Sequence, residues 1–135
     1  MAKYLLTTHG RMCEGLLDTL EFVFPTGGKV SAIPFFVDGI DAEYEIEKYF
    51  ESLPGDEKAV IFTDITWGSV NQKMLKYTER PNTFLISGVN LPFLLDIIPL
   101  DDDICLYTLQ EHVDECKDSL VFVNNIEIQS QKGDE

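Results

Sequence analysis

The sequence predicts one doubly wound α/β domain, a mostly parallel sheet with helices on both faces, and three observations carry that reading. Short apolar segments alternate with helical patterns of about ten residues, the rhythm of right-handed β–α–β crossovers. Residues 59–63 form an unbroken apolar run, as expected of a central strand covered on both faces. At 135 residues the chain can bury a core without a metal or disulfide.

The elements follow in order. Residues 4–8 read as a strand, and His9-Gly10 leads into a helical pattern carrying Leu16, Leu17, Leu20 and Val23. Pro25 and the Gly27-Gly28 pair end it. Residues 30–36 read as a second strand, which Pro34 assigns to a sheet edge. Asp41 is the expected cap of a helix reaching about Leu53. The central strand at 59–63 leads through a loop into a helix over 70–77, and residues 83–87 form the fourth strand. Helices are expected over 91–98 and 108–118, with an acidic turn at Asp101, Asp102 and Asp103 between them. Residues 119–123 and 126–128 read as further strand, free in direction and able to pair within the chain or with another copy. The expected organisation is a single domain over 1–128 and a polar tail over 129–135.

Composition excludes several function classes. The net charge of −14 opposes binding to nucleic-acid phosphates or anionic lipid. No apolar run approaches the roughly 18–20 residues of a spanning helix, and the start of the chain lacks a signal-peptide pattern. Cys13, Cys105 and Cys116 are odd in number and lack metal-ligand spacing, which suggests three small buried hydrophobes in a reducing, cytoplasmic setting. His112 reads as a helix-surface residue and the triple Asp as a solvated turn.

Ligands of open parallel sheets sit beyond the carboxyl ends of strands where strand order reverses. Three strand ends here hold unusual residues: His9-Gly10, then Asp64 with Trp67-Gly68-Ser69, then Ser87-Gly88-Val89-Asn90. If all three strands are central, His9, Asp64 and Asn90 converge. A neutral imidazole is a nucleophile near pH 7, and a carboxylate on one ring N–H frees the other nitrogen. Gly10 allows a sharp turn beside the ring, while Gly68 and Ser69 stand where backbone N–H groups and a hydroxyl could receive phosphate. The set reads as a histidine that carries a phosphoryl group. Blander readings stand beside it: His9 as a surface residue, Asp64 as a helix cap, Trp67 as packing or a partner-facing side chain.

The segments Thr8-His9-Gly10, Glu14-Gly15-Leu16-Leu17 and Leu20-Glu21 resemble the opening of the mannose-type enzyme IIA family of the bacterial sugar phosphotransferase system. Thr63-Asp64 with Gly68-Ser69, and Ser87 through Pro92, resemble that family's second and third signatures, so the likeness runs from residue 4 to about residue 98. The resemblance implies a flavodoxin-like fold and a homodimer that often exchanges a C-terminal strand. It implies a phosphoryl group received from the phosphocarrier protein HPr on His9 and passed to a histidine of the IIB component, with IIC and IID moving the sugar. It implies that Asp64 orients the ring, that Ser69 contacts phosphate, and that no metal or organic cofactor takes part. The chain departs from the family's Asp-x-x-Gly-Gly-Ser-Pro: Trp67 stands at the first Gly and Val70 at the Pro, while Cys13 replaces a small residue.

Other readings fit the residues less well. A receiver domain needs an acidic pair after the first strand for Mg²⁺, and Thr7-Thr8-His9-Gly10 stands there. A flavodoxin would show a Ser/Thr-rich phosphate loop at that place. The IIA-like subunit serving dihydroxyacetone kinase differs in having Ser after its histidine. A regulatory module without carrier activity finds support only in the altered 67–70 loop.

Overall fold

A computed structural model describes residues 1–126. Four strands, β1 (Ala2–Leu6), β2 (Val30–Ala32), β3 (Lys58–Thr63) and β4 (Thr83–Ser87), form one sheet in the order β2-β1-β3-β4. Every pairing is parallel, with Tyr4 opposite both Val30 and Val60, and Val60 opposite Phe84. The helices are α1 (Met12–Val23), α2 (Ala42–Ser52), α3 (Ser69–Met74), α4 (Leu91–Ile97) and α5 (Leu106–Cys116). The predicted α/β alternation is the observed one through α5.

The period-two alternation of the central strands divides two cores between the faces of the sheet. Tyr4, Leu6, Val60 and Phe62 point to one face, where Cys13 and Leu20 of α1, Phe93, Leu94 and Ile97 of α4, and Leu109 of α5 complete a buried cluster. Leu5 and Ile61 point to the other, against Ala42 and Ile46 of α2 and Val70 and Met74 of α3. α1 therefore leaves β1 toward one face, while α3 leaves β3 toward the other. Those two strands are neighbours, so their carboxyl ends border the crevice where strand order reverses.

Local chemistry fixes the boundaries. Asp41 caps α2 by accepting from the Tyr44 amide at 3.2 Å, as its position before the helix predicts. Pro34 stops β2 after Ala32, shorter than the expected 30–36 run, because proline supplies no ladder N–H. The chain then returns beside β1 in a single parallel bridge, Phe35 with His9. β2 lies at an edge, as Pro34 implies.

Several expectations are corrected. Residues 119–123 form no strand: a 3₁₀ turn at Lys117–Ser119 is followed by irregular chain and a second turn at Val123–Asn125. Among the described residues no strand lies beside β4 to give that segment a ladder, and its apolar side chains are exposed, Leu120 at 95 % and Phe122 at 74 %. Residues 127 and 128 of the expected last strand, and the tail from 129, lie outside the described residues. Among the described residues β4 is the second edge, so the condition that all three strands be central is not met. Cys105 is exposed at the start of α5, so only Cys13 of the three cysteines is fully buried. The acidic turn is not merely solvated: Asp101 accepts from the Ala2 amide at 2.8 Å and pairs with Lys29, while Asp102 meets the N-terminal amine, tying β1 to the chain beyond α4.

Candidate functional site

β1 ends in Thr7 and Thr8, both fully buried and both bonded. The Thr7 hydroxyl donates to the Ile33 carbonyl at 2.7 Å, and the Thr8 hydroxyl accepts from the Cys13 amide at 2.9 Å, satisfying the first turn of α1. The Phe35 amide donates to the Thr8 carbonyl at 2.9 Å and the Gly10 amide to the Phe35 carbonyl at 2.8 Å. His9 is thereby clamped between two backbone bonds. Gly10 adopts φ of 60°, a conformation that costs glycine no steric energy and turns the chain sharply into α1.

Asp64 is the residue after β3, and it meets His9 across the crevice. One carboxylate oxygen, Oδ2, accepts both the His9 backbone amide and ring Nδ1 at 2.9 Å each. An ionised carboxylate only accepts, so Nδ1 carries the hydrogen and Nε2 of the neutral ring is left with its lone pair. The Asp64 side chain is 8 % exposed and that of His9 is 39 % exposed. Burial works to raise the Asp64 pKa, yet the bonds from the His9 amide and ring outweigh it and hold the carboxyl below its ordinary value. Asp64 is not the cap of α3, because Gly68 occupies that position.

Ser69 opens α3 with its hydroxyl 3.3 Å from His9 Nε2. Gly68 is set by its neighbour in the loop: a Cβ there would stand 3.1 Å from the Ile65 carbonyl oxygen, while its 3.5 Å to His9 Cε1 would be an ordinary contact. Trp67 is 73 % exposed and holds φ of 66°, the left-handed region in which a bulky side chain is strained. Its carbonyl accepts from Gln72 Nε2 at 3.0 Å. The same backbone geometry accounts physically for a preference for glycine at this place.

Of the predicted site residues, His9, Asp64, Gly68 and Ser69 come together, with Gly10 in the adjoining turn. Asn90 does not join them. Its side chain caps α4, accepting from the Phe93 amide at 2.9 Å. Ser87 hydrogen-bonds to Thr66 at 2.6 Å, linking the β3 loop to the end of β4. His112 is half-buried beside Asp96 at 3.2 Å.

Two residues escaped the sequence reading. Asn71 lies buried in α3 with its side-chain oxygen accepting from Thr63 at 2.8 Å, which fixes the helix to the strand end; a lone Asn inside a helix gives no such signal. Phe36 places its ring 5.4 Å from the His9 ring, tilted by 32°. It is 66 % exposed with φ of 61°, and no signal in the sequence marks it.

Comparison with known proteins fits this geometry. The family model described as the fructose IIA component of the phosphotransferase system (PTS) matches residues 3–115. The chain is 34 % identical over 103 residues to the PTS system mannose-specific EIIAB component of Escherichia coli (strain K12), a match covering 73 % of this chain and 32 % of that protein. It is 26 % identical over 113 residues to the PTS system fructose-specific EIIA component of Bacillus subtilis (strain 168), covering 81 % and 77 % of the two chains. Among solved structures, one from Klebsiella pneumoniae subsp. pneumoniae MGH 78578, provisionally assigned as a PTS permease, superposes with a TM-score of 0.82 at 25 % identity and covers 92 % of each chain. The chain thus spans about a third of the length of the E. coli relative and most of the other two. The chain belongs to the mannose-type IIA family of the sugar phosphotransferase system.

Proposed function

We propose that this protein is a phosphocarrier of a sugar phosphotransferase system, accepting a phosphoryl group from phospho-HPr on His9 and passing it to a histidine of a IIB component. The observation that carries the reading is the pair of hydrogen bonds that His9 donates to Asp64 Oδ2, from its amide and from Nδ1, which leaves the Nε2 lone pair facing the Ser69 hydroxyl. In the forward step the Nε2 lone pair attacks phosphorus, the P–N bond to the donor histidine breaks, and its electron pair stays on the donor nitrogen. The positive charge that the phosphorylated ring acquires is shared with Asp64 through Nδ1–H. The Ser69 hydroxyl stands within reach of a phosphoryl oxygen once Nε2 carries the group. Transfer to IIB is the same exchange in reverse, which suits a site that holds the group without hydrolysing it.

Protein partners fit the surroundings better than a small donor. His9 stands at the surface, and the loops beside it expose Met12, Phe36, Ile65 and Trp67. Trp67 is the partner-facing candidate in the loop where this chain departs from its family. With a net charge of −14, the partners should present basic or apolar faces. The sugar is chosen by the membrane components IIC and IID, and this reading sets the chain in the cytoplasm without a metal or organic cofactor. No described helix is long and apolar enough to cross a membrane.

A homodimer is part of the proposal. Among the described residues β4 is an open edge, the groove of about 470 Å³ beside it is lined in part by Phe84, Leu85 and Ile86, and the apolar segment from Leu120 is exposed. Exchange of the C-terminal segment between copies would answer both. The experiment is phosphoryl loading from phosphoenolpyruvate through enzyme I and HPr, with His9→Ala as the control. Loading of the wild type and none of the variant supports the reading; equal loading of both refutes it.

A further inference from the structure

We propose that Phe36 is a positioning residue for His9, fixing the plane of the imidazole so that Nε2 meets the incoming phosphorus in line. The proposal rests on the phosphocarrier reading above and adds a residue to it. Three independent observations converge on Phe36. Its ring lies 5.4 Å from the His9 ring at a 32° tilt, within the range of an aromatic contact. Its backbone is left-handed, φ of 61°, a conformation that costs a bulky residue free energy. And its side chain is mostly exposed, so burial does not offset that cost.

The preceding residue shows why the strain is retained. Phe35 is the buried one, at 4 % exposure, and its amide and carbonyl bond to Thr8 and Gly10 on either side of His9. That bridge carries the following residue at a set distance from the imidazole. An extended Phe36 would direct its side chain elsewhere; the left-handed turn directs it to the ring.

The geometry also identifies what Phe36 adds. Asp64 holds His9 at Nδ1, and the Ser69 hydroxyl stands 3.3 Å from Nε2. Hydrogen bonding at one nitrogen still permits the ring to tilt about that bond. An aromatic ring against the imidazole face limits the tilt, and in-line displacement is sensitive to that angle.

The test compares Phe36→Ala, Phe36→Gly and Phe36→Tyr with the wild-type protein. Phosphoryl transfer from phospho-HPr is followed at varied donor concentration, thermal stability is measured in parallel, and ¹⁵N NMR reads the His9 ring in the unphosphorylated proteins. The account expects the Ala and Gly variants to lose about tenfold in maximal transfer rate with little change in half-saturation by donor. It expects Phe36→Tyr to retain transfer. Phe36→Gly should be at least as stable as Phe36→Ala, because glycine accepts the left-handed backbone, so transfer and stability part company. The His9 ring nitrogens of the Ala and Gly variants should broaden as the ring gains freedom to tilt, while their shifts still report the hydrogen on Nδ1 that Asp64 sets. Transfer at the wild-type rate in Phe36→Gly, or a change confined to half-saturation, overturns the proposal; the latter makes Phe36 a docking contact only. If the wild-type chain takes up no phosphoryl group, the phosphocarrier reading fails, and the NMR comparison still decides whether Phe36 orients the ring.

Discussion

The ends of β1 and β3 and the end of β4 are neighbours in the same sheet, yet they spend their polar residues differently. Where β1 and β3 finish, Thr7, Thr8 and Thr63 are fully buried and bonded, and they hold His9 and Asp64 in a geometry that serves no cap or turn. Where β4 finishes, Asn90 caps α4 and Ser87 bonds to Thr66. The difference follows from topology. β1 and β3 send their helices to opposite faces, which uncovers a crevice between two fully supported strands, whereas β4 is an open edge among the described residues. The candidate chemistry sits where the backbone is most constrained.

The comparison is broken most severely at His9. His9→Ala should abolish phosphoryl uptake while leaving circular dichroism and thermal stability close to wild type, because the side chain contributes little to either core. Asp64→Asn comes next. It removes a charge-assisted bond worth roughly 1.5–3 kcal/mol, so transfer should slow about ten- to hundredfold with the fold retained. Rapid-quench kinetics at saturating donor would read it, and an unchanged rate would remove Asp64 from the site.

The β4 side is sharpened by its uncovered segment. Leu120→Asp with Phe122→Ser should shift the chain from dimer to monomer in light scattering, since both apolar side chains lie exposed in the single copy. A monomeric wild type would dissolve the dimer proposal at once.

The pH dependence belongs to the His9 side. Asp64 keeps its carboxyl below the ordinary value despite burial, and Asp101 does so through the Ala2 amide first. A depressed carboxyl stabilises the fold above the unfolded value of about 3.9, and that stability is lost as pH falls through the folded one. Acid unfolding of the wild type should therefore steepen below about pH 4, and Asp64→Asn should flatten the curve there. The smallest effect is expected at Trp67. Trp67→Gly relieves the left-handed strain but loosens the unfolded chain, for a net gain of about 0.5–1 kcal/mol by denaturant titration. A loss of stability would mean that the indole is anchored.

The regular alternation of the chain made most elements legible, and His9 and Asp64 were legible because strand ends at a reversal of order are where ligands bind. The failures have local physical causes. β2 was read too long because apolar content continued past Pro34, while the ladder needs an N–H that proline lacks. The stretch after α5 looked like strand because Val121, Phe122 and Val123 carry strand propensity, but a strand needs a neighbour, and propensity does not supply one. The cap that Asn90 makes went unread because capping and ligand or partner contact use the same side chains at the same strand-end positions, and its place as a partner-facing candidate beside Trp67 is untouched by it. Phe36 went unseen because its importance lies in a backbone angle and a ring contact, neither of which a sequence displays.

The central claim is that His9, held through Nδ1 by Asp64, carries a phosphoryl group on Nε2. Its most direct test is intact-mass measurement after incubation with phosphoenolpyruvate, enzyme I and HPr. The account predicts a gain of one acid-labile, base-stable phosphoryl group per chain, absent from His9→Ala. A folded protein that gains none, or that gains the same group without His9, would contradict it.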